Sequence, residues 1–213
     1  MLPERLLRGY ASFRYGRFQS EQERYRRLAE TGQDPGVLVV ACCDSRAAPE
    51  LIFDASPGEI FVVRNVANLV PPYAPDGEYH GTSAALEFAV MGLKVQDIVV
   101  MGHGRCGGIK AALADASVPL SPGDFIGKWI SLLEKPVAEC LCGDADDRQQ
   151  RLEHLSIVHS LANLRTFPCI QALEAAGRIR LHGAWFDIAV GELHVYDEET
   201  AGWTRLDTPD TGH

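Results

Sequence analysis

Three short β-branched runs, at residues 37–41, 60–63 and 98–101, are apolar at nearly every position. A strand with one wet face alternates apolar and polar residues, so runs without alternation predict strands buried on both faces, as in a parallel sheet covered by helices. Residues 82–93 place Leu86, Phe88, Ala89, Val90, Met91 and Leu93 nearly all round a helical wheel, which predicts a helix covered on more than one side. Ser20 with Glu23 three places on reads as a capping box opening a helix over 21–30 that stops near Gly32, and Gln33-Asp34-Pro35-Gly36 reads as the turn that follows. Ser121-Pro122 predicts another helix start, with proline at the first helical position. A further helix is expected over 148–164, and strands near 179–181 and 193–196. Strand and helix alternate, which predicts an α/β fold with a central, mainly parallel β-sheet flanked by helices. The boundaries expected are a helical arm over 1–35, one α/β domain over 36–200 and a tail over 201–213.

Composition narrows the class. With 213 residues, 46% of them hydrophobic, the chain is long enough for one full core and shows no sign of a second. No run approaches the roughly 20 apolar residues of a membrane span, and Met1-Leu2-Pro3-Glu4-Arg5 lacks the apolar stretch of a secretory signal, so a soluble, cytoplasmic protein is expected. Arg5, Arg8, Arg14, Arg17, Arg24, Arg26 and Arg27 crowd the start, but Glu4, Glu21, Glu23 and Glu30 lie among them. The whole chain carries a formal charge of -9, which argues against a nucleic-acid partner and for a charged helix packing on protein. The six cysteines are too irregularly spaced for a disulfide scaffold and fit a reducing compartment.

The candidate chemistry lies in two motifs, Cys42-Cys43-Asp44-Ser45-Arg46 and His103-Gly104-Arg105-Cys106-Gly107-Gly108. Thiolate and imidazole are zinc ligands, and three firm protein ligands rather than four mark a catalytic site with one open position. Cys42 and His103 fall at the carboxyl ends of the first and third expected strands, where open α/β sheets place their sites. Asp44, two residues beyond Cys42, can bind the metal directly or accept a hydrogen bond from water on it, and the Arg46 guanidinium can grip the carboxylate in two places and keep it off. The N–H groups after Cys106 can meet an oxyanion. Two thiolates cancel the metal's charge, so the water should ionise at higher pH than in an all-histidine site, with activity rising on the alkaline side. The competing readings are a closed structural zinc with Asp44 as permanent fourth ligand, and chance spacing with no metal. Cys43 reads as core, Cys140 and Cys142 have no assigned role, and His80, His154, His159, His182, His194 and His213 read as surface or satisfied core residues, with His80 the best placed to carry protons.

At these residues the chain resembles the β-class carbonic anhydrases, whose signatures CxDSR and HxxCGG flank an RNVAN block, here Arg64-Asn65-Val66-Ala67-Asn68. The resemblance runs over about 18–190 and is densest over 33–110. It implies one Zn²⁺ per chain on Cys42, His103 and Cys106, with Asp44 a ligand only in a closed state, and an Asp44-Arg46 dyad. It also implies a narrow pocket at a dimer interface lined by Gln33, Phe61, Val66 and Phe88, and an N-terminal arm packed on a partner subunit. The implied activity is reversible hydration of CO₂ to bicarbonate and a proton by zinc-hydroxide attack, with Asp44 orienting the nucleophile and Gln33 and the Gly107 N–H steadying the oxygens. Carbonyl sulfide or carbon disulfide hydrolysis on the same fold is the alternative substrate reading, and a zinc-stabilised dimeric scaffold the non-catalytic one. Phe88 stands where many members have tyrosine. Val39 and Phe186 stand where a tryptophan and a tyrosine would build a second, inhibitory bicarbonate site, so that control is expected to be absent.

Overall fold

A computed structural model describes residues 1–114, 119–142 and 147–207. Two N-terminal helices, α1 (Glu4–Tyr15) and α2 (Arg17–Thr31), precede strand β1 (Val37–Cys42). A short helix α3 (Pro49–Ile52) leads to β2 (Ile60–Asn65), and α4 (Gly81–Glu87) to β3 (Asp97–His103). Then come α5 (Gly107–Leu113), α6 (Phe125–Ile130), α7 (Glu134–Leu141), the long α8 (Arg148–Leu164) and α9 (Pro168–Ala175), before β4 (Arg180–Asp187), β5 (Glu192–Asp197) and β6 (Gly202–Arg205). The six strands form one sheet in the order β2-β1-β3-β4-β5-β6. The first four are parallel, and β5 and β6 turn back antiparallel.

β1 is buried from Leu38 to Cys42 because it is paired on both edges and covered on both faces. Alternation along the strands divides the core. Leu38, Val40, Ile98 and Val100 face one side with Leu86, Val90, Ile157, Leu161 and Leu164, while Val39, Ala41, Met101 and Ala184 face the other. β2, expected to be buried on both faces, is only half-buried throughout, because it is the outer strand of the sheet.

Several local expectations need correction. α2 begins at Arg17, so Ser20 lies inside it and bonds the Arg17 carbonyl instead of capping the helix. The helical run starts at Glu4 and is broken only at Gly16, where a Cβ would stand 2.8 Å from the Ser12 carbonyl oxygen. Ser121-Pro122 opens no helix: the Ser121 carbonyl accepts the Asp124 N–H, a β-turn with proline at its second position, and α6 starts after Asp124 at positive φ. The helix expected over 82–93 is α-helical only to Glu87 and continues as a π-helical turn over Phe88–Leu93. β4 runs on to Asp187 because its pairing with β3 extends through His103↔Phe186. The expected tail over 201–213 contains β6, the outer strand on the far edge.

α1 and α2 bury no residue of their own. Arg24 ties α2 to the body by bonds to the Pro57 carbonyl at 3.0 Å and to Glu59 at 2.8 Å. Among the described residues no helix is long and apolar enough to cross a membrane.

Candidate metal centre

β1 and β3 are parallel neighbours, so their final residues, Cys42 and His103, emerge together at the carboxyl edge of the sheet. After His103 the chain reverses through Gly104 and through Arg105 at φ 57, which returns Cys106 to the same spot as the residue that opens α5. Gly104 has a steric reason: a Cβ there would lie 3.2 Å from the Trp185 ring. The Cys42 and Cys106 sulfurs are 3.8 Å apart, and one ligand atom from each of Cys42, His103 and Cys106 lies within 4.8 Å of the others, all three residues being buried.

The electrostatics of this trio show what it can hold. His103 Nδ1 meets the Gly104 carbonyl at 2.9 Å, and a carbonyl only accepts, so Nδ1 carries the proton and Nε2 presents a lone pair. That Nε2 is buried with no hydrogen-bond partner. The hydrogen bond from Cys106 lowers the Cys42 thiol, and the same contact raises Cys106. Burial opposes protonation of His103, but the neighbouring Cys42 sulfur and the Gly104 carbonyl outweigh that and raise it. Two facing sulfurs and an orphaned imidazole nitrogen, excluded from water, are a donor set for a soft-to-borderline divalent cation such as Zn²⁺. The residues fit the metal.

Asp44 stands beside the trio and outside it. Arg46 clamps its carboxylate with Nε at 2.9 Å on one oxygen and Nη2 at 2.7 Å on the other, and the Arg46 backbone N–H adds a third bond at 3.0 Å. This clamp holds Asp44 well below the usual carboxylate range. Its nearer oxygen is 3.8 Å from His103 Nε2, close enough to reach the centre after a small rotation. Arg64 fixes the same loop from beneath, donating to the carbonyls of Cys42 at 2.9 Å and Asp44 at 2.6 Å.

Residues 37–193 match the family described as carbonic anhydrase. The chain belongs to the β-class carbonic anhydrases. A carbonic anhydrase of Pseudomonas aeruginosa is 36% identical over 204 residues, which cover 94% of this chain and 90% of that protein. The solved β-carbonic anhydrase CcaA superposes with a TM-score of 0.88 at 31% identity, covering 96% of this chain and 92% of the other. A β-carbonic anhydrase of Sordaria macrospora, described as tetrameric, superposes at 0.76 with 28% identity, covering 93% and 96%.

In this carbonic anhydrase the expected pocket residues fall into two groups. Val66 packs with Cys42 and Cys106, and Gly107 opens α5 with free space before it. Phe61 and Phe88 pair with each other, ring centroids 5.8 Å apart, and Gln33 is exposed in the loop before β1. Phe61 lies four residues upstream of Asn65, the partner of Cys42, which at the usual rise is about 13 Å along the sheet. One chain therefore does not bring Phe61 to its own metal centre.

Glu153, Gln149, Trp129 and Arg64 carry contacts to the site that sequence reasoning missed. Trp129 donates to the Val66 carbonyl at 2.8 Å, steadying a loop in which Ala67 and Asn68 both have positive φ. For Glu153 a signal existed: it lies on the buried stripe of α8 with Ile157, Ser160 and Leu164, where a carboxylate needs a reason. Cys43, read as core, is exposed. His80 and His182 pair with Asp76 and Asp97 at 2.6 and 2.7 Å, and His213 lies outside the described residues.

His154 is not a satisfied core histidine. Its ring stacks on Trp203 at 4.2 Å and stands edge-on to Trp185 at 5.0 Å, and its Nε2 is buried without a partner. Burial, reinforced by His194, holds it down to about 4 from 6.5. Between those two values the unfolded chain binds a proton that the folded chain refuses, so stability present above pH 6.5 is lost as pH falls through this window. His154→Phe keeps an aromatic ring and cannot protonate. The urea midpoint of this variant should fall less steeply from pH 6.5 to 4 than that of the parent, and parallel curves would remove His154 from the acid response.

Proposed function

We propose that this carbonic anhydrase hydrates CO₂ reversibly to bicarbonate and a proton, with Zn²⁺ held by Cys42, His103 and Cys106. The observation that carries the reading is the buried His103 Nε2 with no protein partner, facing two sulfurs beside a carboxylate that Arg46 holds aside. Zinc bound there supplies the Lewis acidity that makes water a nucleophile near neutral pH.

The chain's own residues do the rest. Asp44, ionised and clamped, accepts a hydrogen bond from the attacking water and aims its lone pair at the substrate carbon. Arg46 keeps the Asp44 carboxylate from taking the open position. The first turn of α5 leaves the Gly107 N–H without an intrahelical acceptor, so it can donate to a substrate oxygen as negative charge develops. Val66 provides apolar wall, which suits an uncharged linear substrate and sheds the anionic product.

Phe61, Phe88 and Gln33 complete the pocket from a second copy of the chain in this reading. Phe88 and Met91 support it, since both are large apolar side chains left more than half exposed on a helical segment whose Leu86, Ala89 and Val90 are buried in its own chain. The arm of α1 and α2, none of whose residues is fully buried in its own chain, would pack on the same partner. A homodimer is then the smallest complete unit, and the tetramer described for the Sordaria enzymes is a compatible larger one.

Stopped-flow CO₂ hydration from about pH 7 to 9, with zinc assayed in the same sample, tests the proposal. A fast rate that rises toward alkaline pH is expected at one zinc per chain. A zinc-loaded protein inactive at every pH would overturn the assignment of substrate or of an open site.

A further inference from the structure

Glu153 is buried to 2% exposure near the start of α8, and both of its oxygens are committed. Oε1 accepts the Cys106 backbone N–H at 3.0 Å and the Gln149 amide at 3.1 Å, while Oε2 accepts the Trp185 indole N–H at 3.1 Å. The Gln149 amide also donates to the Cys106 carbonyl at 3.3 Å. Two residues one helical turn apart thus grip the Cys106 backbone on both sides of its Cα. The indole that meets Oε2 is also the ring packed under Gly104, whose carbonyl binds His103 Nδ1. One carboxylate therefore joins the loop of Cys106 to the loop of His103.

Every contact to Glu153 comes from an N–H, which is what an ionised carboxylate accepts and a protonated one cannot fully use. Burial pushes the Glu153 carboxyl up, and the N–H donors of Cys106, Gln149 and Trp185 pull it back, so the contacts themselves define its place between the two loops.

We propose that Glu153 is a positioning residue for the metal: it fixes the Cys106 sulfur against the His103 loop. The proposal rests on the reading that Cys42, His103 and Cys106 hold zinc.

The test measures zinc affinity of the full-length chain by chelator competition, together with the thiolate-to-metal absorption of the Co²⁺-substituted protein. Glu153→Gln turns an amide N–H toward N–H donors and should weaken zinc about 10- to 100-fold and shift the Co²⁺ bands. Trp185→Phe removes the Oε2 contact and the part of the ring under Gly104 but leaves both bonds at Oε1, and should weaken zinc by a smaller factor. Leu164→Ala destabilises the same helix eleven residues from Glu153, about 16 Å along its axis, and should bind zinc as the parent does. Glu153→Gln with parental affinity and bands, or with no greater loss than Leu164→Ala, would overturn the positioning role. If Glu153→Gln does not fold, unaltered zinc binding by Trp185→Phe would overturn it. A parent chain that fails to bind zinc would instead overturn the metal assignment on which the proposal rests.

Discussion

Cys42→Ser should leave the protein essentially free of zinc and without CO₂ hydration activity. Cys42 is the only ligand that β1 contributes, and a neutral hydroxyl is a poor substitute for thiolate at neutral pH. The loss reaches the fold as well. A ligand bound only by the native state stabilises it by an amount set by free concentration over Kd, about 4 kcal/mol at a thousandfold excess. The parent should therefore melt at a lower temperature once a chelator is added, and Cys42→Ser should melt below that, at a temperature the chelator does not change. The buried hydroxyl, left without a metal, lowers stability by a further 1–3 kcal/mol or about that. Cys43→Ser is the matching control, since the neighbouring cysteine is exposed and lies outside the trio. Elemental analysis that finds full zinc in Cys42→Ser would remove Cys42 from the ligand set.

The difference between these adjacent cysteines shows what a sequence can convey about such a site. The motif supplies spacing, and spacing on an extended strand end is enough to put Cys42 and Asp44 on one side, because side-chain direction there alternates. It is enough, too, to bring His103 and Cys106 together across Gly104 and Arg105. The strand runs were legible for the same reason: continuous apolar β-branched residues have few alternatives to a buried parallel sheet. What surrounds the trio was not legible, because it is assembled from positions far apart in the chain. Glu153 reaches Cys106 across 47 residues and Trp185 across 32, and no local pattern encodes either contact. The misplaced helix starts have a different origin. Ser20 and Ser121 carry good local signals, and each lost to a neighbour with a stronger backbone constraint, Gly16 in the first case and the turn through Asp124 in the second. β6 was overlooked because a four-residue edge strand needs only one partner and shows little hydrophobic signal.

Arg46→Ala should bind zinc more tightly than the parent and yet hydrate CO₂ about 100-fold more slowly or worse. The two effects have one cause. Three bonds from Arg46 now hold the Asp44 carboxylate, the two from the guanidinium at 2.7 and 2.9 Å, and only the backbone bond survives in the variant. Freed of the fork, a carboxylate already 3.8 Å from His103 Nε2 can rotate onto the metal as a fourth ligand. A fourth anionic ligand raises affinity and fills the position the reaction needs. Arg46→Lys separates charge from geometry: its ammonium keeps the positive charge but lacks the planar two-pronged fork, so it should fall between parent and alanine. Asp44→Asn in the Arg46→Ala background should bring zinc affinity back toward the parent value without restoring the rate, because the amide neither closes the site as an anion nor accepts the water's hydrogen bond as a carboxylate does. A drop in rate with unchanged zinc affinity would mean that Arg46 acts on the substrate directly and not by holding Asp44 aside. Parental rates, with Asp44 still off the metal in a crystal structure of the alanine variant, would show that the loop holds the carboxylate without the arginine, through Arg64 and the backbone bond alone.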